Sequence, residues 1–164
     1  MENLIVRKAE IDEIDVLLEF EQGIIKAERP FDSTLKEGEI HYYDLAGLIK
    51  SPESEVLVAV IDDEIVGSGY AQIRKADDYL QHERFAYLGF MYVKPERRGR
   101  GVIRQILEAL KKWSVSRGVT EIRLEVYNEN AAAIKAYEKA GFKANLIEMR
   151  MAVAEDDQRK FAGR

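Results

Sequence analysis

Residues Arg98-Gly99-Arg100-Gly101-Val102-Ile103 stand between an apolar run that ends at Val93 and an amphipathic helical pattern that starts at Val102. The first turn of a helix leaves backbone N–H groups unpaired, and the peptide dipoles add positive character there. Glycines let such a backbone approach an anion with no Cβ in the way. Arg97, Arg98 and Arg100 would add charge-assisted hydrogen bonds. On these grounds the turn is a phosphate cradle, although a solvated basic turn has the same composition. Neither a Gly-Lys-Ser/Thr phosphate loop nor a GxGxxG fingerprint is present.

A second segment with chemical potential runs from Asn130 to Phe142. Asn130 is suited to cap a helix, and Gly141 to end it. Ala133, Tyr137 and Ala140 share one face of that helix, so the phenol has small neighbours and room beside it. A core aromatic with a bonded hydroxyl is the alternative reading of Tyr137.

The elements that must position these groups follow from periodicity. Residues 4–8 read as a strand, and Ile11, Ile14, Leu17 and Leu18 as a helical stripe. Residues 28–38, with Pro30, Asp32 and Ser33, read as a loop, and 42–50 as a second helix halted before Pro52. Two β-rich runs, 56–61 and 65–74, flank Asp62-Asp63-Glu64 as a hairpin. A third run spans 85–93. Val102, Ile103, Ile106, Leu107, Leu110 and Trp113 form the stripe of a long helix closed by Arg117-Gly118. Ile122, Leu124 and Val126 alternate as a strand, the 130–140 helix follows, and 146–153 is expected as the last strand. Residues 1–154 then form one domain, and 155–164 a polar, loose tail. The alternation predicts an α/β (α+β) chain with a mixed sheet covered by helices.

Together the two chemical segments resemble the GNAT superfamily of acyl-CoA-dependent N-acyltransferases. The family turn Arg/Gln-x-x-Gly-x-Gly/Ala matches Arg98 to Ile103, with isoleucine at a position usually small. The pattern Asn-x-x-Ala-x-x-x-Tyr-x-x-x-Gly-Phe matches Asn130, Ala133, Tyr137, Gly141 and Phe142. The resemblance is specific over residues 85–142. It implies a mostly antiparallel sheet with a V-shaped splay and helices on both faces. It implies acetyl-CoA as acyl donor, its pantetheine arm along Met91, Tyr92 and Val93, and its pyrophosphate on Arg98, Gly99, Arg100, Gly101, Val102 and Ile103. Asn130 would meet the pantetheine arm, and Arg100, Arg104 or Lys135 the adenosine phosphate. Tyr137 would protonate the departing thiolate. The family often draws its base from the strand before the turn, and Glu83 is the carboxylate in that region, with Tyr87 and Glu125 as weaker candidates.

The implied reaction is N-acetylation of a small-molecule, amino-acid or peptide amine, with an acyl-CoA sensor of the same fold as the alternative. The acceptor is expected near residues 28–32, where Glu19, Glu21, Glu28 and Asp32 could attract a cation, or Arg29 a carboxylate. A net charge of −5 argues against nucleic acid as a partner. Cysteine is absent, and His41 and His82 fit no ligand spacing, so no metal site is expected. No signal peptide or membrane span is legible, which gives a cytoplasmic expectation without a membrane partner. A homodimer is compatible with all of this.

Overall fold

Alternation along the central hairpin decides how the two faces of the sheet are covered. In β2 (Ser54–Ile61), Val56 and Val58 point to one side, and Leu57, Ala59 and Ile61 to the other. The computed structural model describes residues 3–162. It arranges β1 (Leu4–Lys8), β2, β3 (Glu64–Lys75), β4 (Arg84–Val93) and β5 (Ile122–Leu124) in one sheet, ordered as in the chain. The first four strands are antiparallel, and β5 lies parallel to β4. The Asp62-Asp63 turn has positive φ at both residues, 49° and 64°, as a two-residue hairpin loop requires.

On the Val56 face lie α1 (Ile14–Glu28) and α2 (Leu45–Lys50), which bury Leu17, Phe20, Ile24, Leu45 and Leu48 against Tyr70 and Phe90. The second helix begins at Leu45 rather than at 42, because the Asp44 carboxylate caps it by accepting from the Gly47 N–H. On the Leu57 face lies α3 (Val102–Ser116), whose Val102, Ile106, Leu107 and Leu110 fill the other core. Gly67 and Gly69 permit the close seating of α3 on β3: a Cβ on Gly69 would stand 2.8 Å from the Ile106 side chain. Helices therefore cover both faces of the sheet.

The C-terminal third departs from the sequence expectation. After β5, α4 (Ala131–Lys139) buries no residue fully. Residues 143–153 form no strand, and Leu146, Ile147, Met149 and Met151 are each more than four-fifths exposed. The strand expected at 146–153 is thus missing from this sheet. Residues Glu155–Phe161 form a short exposed helix, α5, where a loose tail was expected. Among the described residues, no helix is long and apolar enough to cross a membrane.

Candidate active site

The parallel ladder between β4 and β5 is short, pairing Ala86, Leu88 and Tyr87 with Ile122, Leu124 and Arg123 and then stopping. The cause lies in β4. Between the Tyr70–Gly89 and Ser68–Tyr92 pairs, β4 carries one residue more than β3, and Phe90 has a φ of 57°. This is a β-bulge, which bends the strand and re-aims everything beyond it. Before the bulge the Ala86 N–H points towards β5 and donates to Glu121 O at 3.0 Å. Beyond it the Lys94 N–H donates to Val66 O on the β3 side. Strand alternation then turns the N–H groups of Met91 and Val93 into the gap left by β5. The result is an open strand edge in the cleft where the β4–β5 ladder ends.

The bulge is held by side chains from the opposite face. Ser68 Oγ donates to Phe90 O at 2.9 Å, and the Phe90 N–H donates to Tyr43 Oη at 3.3 Å. Tyr43 is itself placed by Glu21, a fully buried carboxylate of α1. Glu21 accepts from the N–H groups of Tyr42 and Tyr43, both at 2.9 Å, and contacts His41 Nδ1 at 2.6 Å. A buried carboxylate that accepts this many hydrogen bonds is satisfied, so Glu21 is a structural brace.

At the mouth of the cleft, residues Pro95–Arg97 make a tight turn into α3. Arg98 Nε donates to Val93 O at 3.0 Å, which pins the turn to the strand end. Gly99 and Gly101 have φ of 76° and 81°, and a Cβ on either would meet no atom within 4 Å. Gly101 is the helix cap, no side chain caps the N–H groups of the first turn, and no acidic residue stands there. Ile103 is half-buried and packs on the α3 core. The arrangement can bind an anion through main-chain N–H groups.

Asn130 caps α4, its side-chain oxygen accepting from the Ala133 N–H at 3.3 Å. That leaves the amide NH2 as a donor. Tyr137 packs edge-on against Phe142, and burial pushes its phenol up to about 12. The one charge that acts on it is Glu28, at the C-terminal end of α1. The same carboxylate acts on Tyr42, Tyr43, Tyr87 and Tyr127. Half-buried among these phenols, Glu28 is raised above the ordinary carboxylate range by desolvation, which the neighbouring Tyr42 hydroxyl partly opposes. Tyr42 Oη is buried beside it and has no hydrogen-bond partner of ordinary geometry.

The other sequence candidates sit elsewhere or are already engaged. Glu83 is exposed just before β4, eight residues and roughly 26 Å of strand from Met91. It lines a separate groove of about 230 Å³ with His82, Arg84 and residues 118–120. Its choice as base assumed a site at the near end of β4, whereas the bulge puts the cleft at the far end. Glu125 is exposed and follows β5. Arg29 donates to the carbonyls of Lys36 and Gly38 and so braces its own loop. Asp32 is buried and accepts from Thr34, Tyr127 and Arg150. Of the four acidic residues near that loop, Glu28 is the one whose charge acts on Tyr137. Sequence reading placed it in a charged loop and missed its chemistry, because desolvation at a helix end has no local signature.

Comparison with known proteins agrees with this geometry. Residues 21–142 match the model of the acetyltransferase (GNAT) family, well over half of the chain. A mutant BH1408 protein from Bacillus halodurans has the same fold, with a TM-score of 0.83 at 20% identity, over 92% of this chain and 99% of that one. Aminoglycoside N-acetyltransferase AAC(6')-Iy in complex with CoA superposes with a TM-score of 0.67 at 18% identity, over 91% and 100%. A predicted acetyltransferase from Clostridium acetobutylicum, with acetyl-CoA, gives 0.67 at 17%, over 92% and 96%. A cleft opened by a bulge, an uncapped glycine-rich helix start at its mouth, and a family match spanning both place this chain in the acetyltransferase (GNAT) family.

Proposed function

We propose that the protein is an N-acetyltransferase that moves an acetyl group from acetyl-CoA to the amine of a small molecule, amino acid or peptide. The observation that carries this reading is the cleft beyond Phe90, where strand alternation turns the N–H groups of Met91 and Val93 away from β3, towards the open first turn of α3. Its residues fit an acyl-CoA. The Met91–Val93 edge offers a strand to an extended pantetheine arm, as in strand addition. Main-chain N–H groups from Gly99 to Ile103 receive the pyrophosphate, with Arg98 and Arg100 close by. Asn130 offers its free amide donor.

When bound, acetyl-CoA supplies the acetyl group as an activated thioester. The chain's residues supply the proton traffic. Glu28 takes a proton from the incoming ammonium and leaves a neutral nitrogen able to form the new C–N bond. The Met91 N–H, aimed into the cleft, stabilises charge that develops on the carbonyl oxygen. Tyr137 holds its proton at neutral pH and gives it to the sulfur as the C–S bond breaks, and the second proton shed by the new amide nitrogen restores the phenol. Glu28 replaces Glu83 in the base role because it is the carboxylate whose field reaches Tyr137.

A screen of amines for acceptor-dependent thiol release tests the proposal. Release with at least one amine, falling by about 10²–10⁴ in Tyr137→Phe, is expected. Acetyl-CoA binding without release for any amine class would make the protein a sensor. An undiminished Tyr137→Phe would remove Tyr137 from the acid role.

A further inference from the structure

Tyr70, Gln72 and Arg74 alternate along β3, so their side chains share the sheet face that α1 and α2 cover. Tyr87 of β4 pairs with Gln72 and lies on the same face. Between these strands and α2 is a cavity of about 370 Å³, whose lining includes Tyr42, Tyr43, Asp44, Tyr70, Gln72 and Arg74. Small-molecule sites span roughly 300–1,000 Å³, so this one holds a small ligand.

One end of the cavity reaches the groups assigned to the proposed transfer. Tyr43 Oη accepts from the Phe90 N–H at the bulge, and Tyr42 stands beside Glu28. An aromatic wall runs from there, with ring centroids 5.7 Å apart for Tyr43 and Tyr70 and 6.4 Å apart for Tyr70 and Tyr87. The far end of the wall is cationic. The Arg74 guanidinium carbon lies 3.8 Å from the Tyr87 ring centroid, and its Nε donates to Gln72 Oε1 at 3.0 Å. Stacking and that hydrogen bond fix the plane of the fork, so little freedom is left to lose when an anion arrives.

Arg7, Arg117, Arg123 and Arg150 each bond a carboxylate. Arg74 is held in place without one among the described residues. Asp44, which also lines the cavity, is committed to capping α2. The carboxylates that act on the wall stand towards other phenols. Glu28 acts on Tyr43 and Tyr87, and Glu125 acts more strongly than Arg74 on Tyr87. At Tyr70 the order reverses, and the Arg74 charge outweighs that of Glu125. The cavity is therefore dipolar. A zwitterion matches that field, whereas a polyamine would set a cation against Arg74.

We infer that Arg74 selects the acceptor: the substrate is an amine that carries its own carboxylate, an amino acid or short peptide, with the carboxylate on the terminal N–H groups of Arg74 and the amine towards Glu28. The role of the amine rests on the acyl-transfer reading, and the carboxylate contact does not.

The test measures thiol release from acetyl-CoA with the standard amino acids and glycyl dipeptides, each against its C-terminal carboxamide. Wild type should prefer the acid by at least about tenfold in kcat/KM, mainly through KM. Arg74→Gln should abolish the preference, and comparing the acid-to-amide ratio between the two proteins cancels the different basicities of the amines. Arg74→Lys should restore part of it, because the charge returns without the planar fork. Thiol release with no preference in wild type, or a preference that survives Arg74→Gln, would overturn the inference and leave acyl transfer standing. A second readout needs no turnover. With CoA saturating, the preferred acid should raise the melting temperature of wild type but not of Arg74→Gln. That shift without thiol release from any amine would keep the carboxylate site and refute the transfer. Neither shift nor release would refute both.

Discussion

In the proposed reaction Glu28 and Tyr137 divide the proton work, because their surroundings push both groups towards the neutral form. Burial raises the Tyr137 phenol to about 12, so it stays protonated through the physiological range and can act as a donor. Desolvation raises Glu28 from its ordinary value of 4.5, so its activity as a base appears only as the pH climbs through that higher value. Two results are expected of kcat/KM. In the wild type, the acidic limb assigned to Glu28 lies above the ordinary carboxylate range. In Glu28→Gln that limb is lost and the rate falls by about 10²–10⁴. A pH–rate profile of both proteins checks this, and an unchanged limb in the variant would assign it to another group. His41 has a different consequence, for stability. Its contact with Glu21 raises its pKa above 6.5 in the folded state. A raised histidine stabilises fully below its unfolded pKa, and that contribution is lost as pH rises through the folded value. Wild type should therefore lose melting temperature relative to His41→Ala from just below neutral pH upwards. Parallel curves for the two proteins would show that the pair is not linked to folding.

At the level of elements, the bulge in β4 and the seat of α3 define the cleft. A Cβ on Gly67 would come within 2.9 Å of the backbone oxygen of Tyr92 and 3.2 Å of Ile106, so it presses on both β4 and α3. Gly67→Ala should cost about 1–3 kcal/mol by overpacking. It should also raise KM for acetyl-CoA more than it lowers kcat, since it moves the strand that lines the cleft. Denaturant melts and steady-state kinetics read both effects. Much of this layer was legible in the chain. The α3 stripe, the Asp62-Asp63 hairpin and the Asn130 cap are local patterns, and local patterns survive folding. The bulge was not legible, because a phenylalanine at positive φ is held there by Ser68 and Tyr43, which lie 22 and 47 residues away. Counting back along a regular strand therefore led to Glu83. The expected final strand failed for another reason: its alternation is real, but residues 143–153 join no strand of the sheet.

For the whole molecule, each half of the chain supplies part of one cleft. The N-terminal helices bring Glu28, Tyr42 and Tyr43, and the second half brings the open strand edge, the glycine-rich turn and Tyr137. The Arg98–Ile103 and Asn130–Phe142 segments carried the family and the donor side in their sequence. The acceptor side depends on which carboxylate is buried, paired or left over. Only the fold sorts Glu21, Asp32 and Glu28 into brace, anchor and proposed base. The central claim is that an acyl-CoA occupies the cleft between β4 and β5, and the most direct test is the melting temperature with added acetyl-CoA. At a concentration about 100 times its Kd, a ligand of the native state adds about 2.7 kcal/mol, or roughly 5–10 °C for a chain of this size. The same addition should do less for Gly101→Val, whose side chain strains the left-handed cap of α3. A melting temperature that does not move with acetyl-CoA would contradict the account.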